Sequence, residues 1–229
     1  MKINIKGPII SNDDKWIYDY FDIESTTPKM VYESIEKANG EELEVEINSG
    51  GGSVYAGSEI YTALKEYQGN VITKVVGLAA SAASVIAMAG KKVLMSPTAQ
   101  MMIHNVSTYA GGDYRDMEHV AEVLKSANDT VANAYRIKTG KSQKELLSMM
   151  DKETWFSPQK AKEVGLVDEI MFESQELVAS TYAGILPPEV IQKMRNSKKQ
   201  PQESIKDEAV FLMQQNKLKL LRLKGAVND

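Results

Sequence analysis

The chain has 229 residues, 43% of them hydrophobic and 25% charged, with a formal net charge of −4 and a pI near 5.4. That length holds one ordinary folded domain with a short appendage, and the balance excludes both a disordered chain and a general affinity for nucleic acid or anionic membrane. No cysteine is present, which removes disulfides, thiolate metal sites and a cysteine nucleophile together and fits a reducing, cytoplasmic setting.

The opening "MKINIKGPII" is too short and too mixed for a secretory signal; its "KINI" alternates as a strand until Gly7-Pro8 breaks it. Thr27-Pro28 before "KMVYESIEKANG" predicts a helix with Thr27 as N-cap, Pro28 in its first position and Gly40 as its stop. "LEVEIN" (43–48) alternates as a strand, glycines fill 50–52, and Ala56, Ile60, Ala63 and Tyr67 mark one face of a helix. "VITKVVG" (71–77) reads as a β-branched strand running into "GLAASAASVIAMAG" (77–90). The apolar run from Val75 to Gly90 falls short of the roughly 20 residues that cross a bilayer. "KVLM" and "MMIH" follow as short strands around "SPTAQ".

Met117, Val120, Leu124, Ala127, Val131 and Ala134 alternate steps of three and four, predicting a long amphipathic helix from about Asp113 to Lys138. "SQKE" at 142–145 is a capping box, and Ser157-Pro158 starts a further helix that Gly165 ends before the strand "LVDEIMF". Alternating strands and helices argue for an α/β domain with crossover units. From 195 to 208 the chain is polar and reads as a linker. "AVFLMQQNKLKLLRLKG" after it reads first as a solvated tail helix, with docking to a partner protein or to a membrane surface as alternatives.

Two serines, Ser81 and Ser84, interrupt the Ala-rich stretch, and a serine attacks a carbonyl only with a base beside it. The chain offers two histidines. His119 lies off the apolar stripe of the long helix and reads as a surface residue. His104 ends "MMIH" beside the polar loop "NVSTYAGGDY", where catalytic groups are commonly displayed; the residues alone leave a catalytic and a structural role both open. The glycine cluster of "INSGGGSVYAGSEIY" follows a strand and opens a helix, so its amides suit an anion or an oxyanion; the Walker pattern is absent.

"INSGGGSVYAG", "GLAASAASVIAMAG", "MSPTAQMMIHN" and "KAKEVGLVDEI", in this order and spacing, resemble the Clp-type serine peptidases over roughly residues 40–172. The "SGGG" turn, the "ETW" segment and a C-terminal extension make the chain similar to the ClpP-related proteases of tailed phages, which mature the viral prohead. The resemblance implies a ClpP/crotonase-like α/β fold of repeated β-β-α units with a long handle-like helix. It divides the chain into a Clp-like domain at 1–174 and a helical extension at 175–229.

By the same resemblance Ser81 is the nucleophile, His104 the base, and the backbone N–H groups of Gly52 and Ala82 the oxyanion hole. Ser84 has no matching role and reads as small packing in the following helix. An ungapped alignment back from "GLVD" puts Glu153 in the place of the triad aspartate, with Asp151 as the alternative and Asp168 as a third that looks more structural. No cofactor and no metal are implied.

The implied partners are protein or peptide substrates, a homo-oligomeric ring of about six or seven subunits, and capsid or scaffold proteins in the host cytoplasm or prohead; nucleic acid and membrane are not among them. Three departures stand out: Gly50 where the family commonly has Pro, an N-terminal segment unlike the axial loops that engage an ATPase, and no nucleotide motif. ATP dependence would therefore need a separate unfoldase. The alternatives are a housekeeping Clp proteolytic subunit working with such an ATPase, a crotonase-like acyl-CoA enzyme, and a degenerate scaffold ring.

Overall fold

The computed structural model describes residues 1–173, so the linker and tail helix expected beyond 174 lie outside the described residues. Alternating apolar residues build a parallel sheet from Lys2–Lys6 (β1), Leu43–Ser49 (β2), Val71–Ala80 (β3), Lys92–Met95 (β4) and Glu169–Ile170 (β7), in the order β1-β2-β3-β4-β7. Ile3, Ile5, Leu43, Val45, Ile47, Val71 and Val75 put one side of these strands into the core. The last strand is shorter than the 166–172 expected. Gln100–Ile103 (β5) pairs parallel with β3, and Thr154–Phe156 (β6) pairs antiparallel with β5.

Helices cross between the strands. Lys15–Tyr20 (α1), which the sequence pattern did not predict, buries none of its residues. Pro28–Ala38 (α2) starts as expected, with the Thr27 hydroxyl accepting from the Met30 amide. Its C-cap is Asn39, at φ +44°, with Gly40 following at φ +87°. Val54–Glu66 (α3) is capped by Ser53 and packs Ala56, Gly57, Ile60, Ala63 and Leu64 inward. Ala82–Ala87 (α4) is wholly buried. Gln143–Asp151 (α6) carries the Ser142–Glu145 capping box, and Pro158–Val164 (α7) ends at Gly165 in the left-handed region.

The long helix runs from Tyr114 to Thr139 (α5), capped by Asp113. Only Val131, Ala132, Ala134 and Tyr135 are buried on it, so the predicted apolar stripe meets the core at its C-terminal end, while Val120, Leu124 and Ala127 are half-buried and Met117 is exposed. No described helix is long and apolar enough to cross a membrane.

One irregularity sets up everything that follows. β2 and β3 keep one register from Leu43↔Val71 to Ile47↔Val75, then resume at Ser49↔Ala79, so β3 gains two residues in a bulge. Gly77 lies in that bulge, where a Cβ would stand 2.5 Å from the Asn48 Oδ1 that accepts from the Leu78 amide. Before the bulge β3 pairs with β4; after it, Leu78–Ala80 pair with β5. The strand therefore continues past the predicted end at Gly77 and carries the Ala-rich stretch alongside Gln100–Met102.

Candidate active site

Ser81 occupies the single residue between β3 and α4, at φ +54° and ψ −127°. A left-handed φ is uncommon for a residue with a Cβ, and such strain collects at functional sites. The neighbourhood holds it there. The Ser81 amide donates to the Met102 carbonyl at 3.0 Å, and the Ser81 carbonyl accepts from the amides of Ser84 (2.9 Å) and Val85 (3.4 Å) and from the Ser84 hydroxyl (2.6 Å). Because β3 has switched to β5, this junction lies beside the end of β5, and His104 is the next residue of that strand's chain. The imidazole Nε2 is 2.8 Å from Ser81 Oγ. With the ring proton on Nδ1, Nε2 accepts the hydroxyl proton, the geometry a serine–base pair requires.

The glycine turn packs directly against this junction. Gly51 sits at φ +95°, and a Cβ on it would fall 2.6 Å from the Ser81 Cβ. Gly52 is at φ +148°, where a Cβ would strike the Ile9 carbonyl oxygen at 2.2 Å. Ile9 ties the turn down by donating to the Gly51 carbonyl and accepting from the Ser53 amide. Gly50, by contrast, has open space around it and no positive φ. The amides of Gly52 and Ala82 donate to no protein acceptor among the described residues, and both residues line one cavity of about 250 Å³ with Ser81 and His104. Val54, Val85, Met102, Val106, Val131 and Tyr135 give that cavity its apolar walls. These walls come from five separate segments, which is why no local motif in the sequence marks them.

The three acidic candidates separate clearly. Asp168 accepts from the Val93 amide at 2.6 Å and from Lys138 Nζ at 2.5 Å, joining β4 to α5. Asp151 ends α6 and accepts from Asn105 Nδ2 at 2.8 Å. The β5–β6 ladder ends at Ile103↔Thr154, and Glu153 is the turn residue just before β6, at φ +48°. Its carboxylate accepts from Trp155 Nε1 at 3.3 Å, and no carboxylate hydrogen-bonds His104 among the described residues. His119 is exposed on α5. The described residues contain no cluster of three or more His, Asp or Glu able to hold a metal.

A family model described as Clp protease matches residues 21–174. The chain belongs to the Clp protease family. Its class is that of serine-type peptidases, and its mixed α/β sheet is the fold of that family. The chain is 34% identical over 138 residues to an ATP-dependent Clp protease proteolytic subunit of Deinococcus radiodurans, covering 59% of this chain and 68% of that protein. A proteolytic subunit of Bacteroides fragilis is 34% identical over 136 residues, 58% of this chain and 66% of its own length. Proteolytic subunit 1 of Chlamydia muridarum is 32% identical over 166 residues, 67% and 86% of the respective chains. Within the Clp protease match fall Ser81, His104, all three turn glycines and Glu153.

Ser84 and Tyr135 carry buried hydroxyls beside the junction, at 0% and 1% exposure, and these lie 2.7 Å apart. The sequence pattern gave Ser84 only a packing role and passed over Tyr135, which stands one residue beyond the Met117–Ala134 stripe. Burial pushes the Tyr135 phenol far above the ordinary tyrosine range, with the Ser84 bond acting in the opposite direction.

Proposed function

We propose that this chain is a serine endopeptidase in which Ser81 is the nucleophile and His104 its base, and the observation that carries this is the 2.8 Å Ser81 Oγ–His104 Nε2 contact in the lining of a cavity of about 250 Å³. Ser81 Oγ attacks the peptide carbonyl as its proton passes to His104 Nε2. The carbonyl oxygen, now negative, takes the unpaired amides of Gly52 and Ala82. His104 then gives its proton to the departing amine, leaving an acyl-enzyme that water hydrolyses by the same steps in reverse roles. Glu153, next in the chain beyond the last β5–β6 pair as His104 is on the other side, is the acid that would hold Nδ1–H after turning from Trp155.

The test is labelling with a fluorophosphonate probe followed by peptide mapping. The expected result is modification at Ser81, absent in Ser81→Ala and in His104→Ala. An unmodified serine in the assembled wild-type protein overturns the reading, and retained hydrolysis in Ser81→Ala does so independently.

The finer role is maturation of a phage head, supported by the "SGGG" turn, the "ETW" segment and the extension at 175–229. A second reading, a proteolytic subunit served by an ATPase unfoldase, is favoured by the names of the relatives. Both imply a homo-oligomeric ring that admits only flexible protein segments. They differ in whether a folded substrate is degraded only when a Clp-type ATPase and ATP are added.

A further inference from the structure

Two hydroxyls buried behind a strained serine call for a reason, because an Ala and a Phe would fill the same space without polar groups to satisfy. Counting hydrogens orders the pair. The Ser84 hydroxyl has one proton, and it is donated to the Ser81 carbonyl at 2.6 Å. The 2.7 Å contact to Tyr135 must then run the other way, with the phenol donating to Ser84 Oγ. Burial keeps that phenol protonated throughout the range in which a peptidase works. The result is a directed chain from Tyr135 on α5, through Ser84 on α4, to the backbone of Ser81.

The end of this chain matters more than its length. The Ser81 carbonyl and the Ala82 N–H belong to one planar peptide unit, so whatever fixes the direction of the oxygen fixes the N–H on its opposite side. That same unit follows the positive φ of Ser81, and the Ser84 hydroxyl adds the shortest of three bonds to a carbonyl that the Ser84 and Val85 amides also hold. We propose that Tyr135 and Ser84 act as positioning residues, clamping the Ser81–Ala82 peptide so that Ser81 Oγ stays aimed at His104 and the Ala82 amide stays aimed into the cavity. This rests on the reading of Ser81 as nucleophile. It assigns Tyr135, a wall of the same cavity, a task in the chemistry as well as in packing.

A clamp on the reacting groups acts on the transition state more than on substrate binding. In Ser84→Ala, kcat and the rate of fluorophosphonate labelling should fall about tenfold while KM changes less than about twofold. In Tyr135→Phe, which leaves the Ser84–Ser81 bond but removes its orienting donor, the loss should be about threefold in kcat. The double variant should be no slower than Ser84→Ala alone, because a chain cut once is already cut.

Rates are read well below each variant's thermal midpoint, so a lowered Tm does not imitate the effect. Wild-type kcat and labelling rate in both single variants, with or without a loss of Tm, would reduce the pair to core packing and overturn the clamp. If Ser84→Ala fails to fold, Tyr135→Phe decides alone: a threefold loss of kcat at constant KM supports the clamp, and an unchanged kcat overturns it. Failure of the wild type to label at Ser81 overturns the nucleophile reading, and the clamp with it. A labelled wild type with equally labelled variants overturns the clamp only.

Discussion

Glu153 follows the last turn of α6 at φ +48°, a backbone conformation that costs a residue with a Cβ about 1–2 kcal/mol. Asp151, two residues earlier, still belongs to the helix and spends its carboxylate on Asn105. The β5–β6 ladder ends at Ile103↔Thr154, so His104 and Glu153 are the next residues of the two chains beyond its last pair. A carboxylate that orients the imidazole and stabilises the imidazolium is worth on the order of 10⁴-fold in kcat where this has been removed from a triad. Glu153→Gln should therefore lower kcat for peptide hydrolysis by about 10²–10⁴-fold, with Asp151→Asn staying within about threefold of wild type. Steady-state kinetics on a fluorogenic peptide gives both values. A collapse in Asp151→Asn beside a fully active Glu153→Gln would reverse the assignment.

The glycine turn shows, at the scale of an element, that a short motif can contain positions of very different strictness. Gly51 at φ +95° has the Ser81 Cβ where its own would be, whereas Gly50 faces open space. Gly51→Ala should cost about 1–3 kcal/mol of stability and abolish hydrolysis by displacing the Ser81 junction. Gly50→Ala should fold like the wild type, its added methyl entering the open cavity that Gly50 also lines. Thermal unfolding beside a peptidase assay tests the pair, and an active Gly51→Ala would show that the turn does not hold the junction. What the sequence made legible here follows from how local the signal is. Thr27-Pro28, the Ser142–Glu145 box and Ser157-Pro158 are caps whose donors and acceptors lie within three residues, so their helices could be read directly. The residues alone left the roles of Ser81 and His104 open, and the order of the motifs shared with the Clp-type peptidases singled them out. The continuation of β3 to Ala80 depends on a bulge filled by Asn48, 30 residues away from the Leu78 it bonds, and periodicity cannot anticipate that. Tyr135 was hidden for the same reason, since its partner Ser84 is 51 residues distant. The turn to α1 had no cap signal to reveal it: Asp14 makes no side-chain cap.

At the scale of the whole molecule, α5 is 26 residues long, about 39 Å at 1.5 Å per residue. Its buried residues all fall between Val131 and Tyr135, where it packs against the core and meets α4. Toward the N-terminal end Met117, on the stripe, is 38% exposed and Val123, beside it, is 46% exposed, with no described element covering them. An apolar stripe of helical period stays soluble most readily when a second surface covers it. In a ring-forming peptidase the helix that projects from the domain is the natural place for such a surface. Placing charges on that face would leave the Ser81–His104 junction, built on α4, β5 and the C-terminal end of α5, untouched within each subunit. Met117→Asp combined with Val123→Asp should therefore convert the assembly to a smaller species in light scattering coupled to gel filtration, while circular dichroism retains the folded α/β signal. Each charge introduced into a contact core costs several kcal/mol if it is desolvated without a partner, enough to dissociate a ring held by repeated copies of one interface. An unchanged mass in the double variant would mean that the stripe faces solvent and that any ring is held by other faces of the domain.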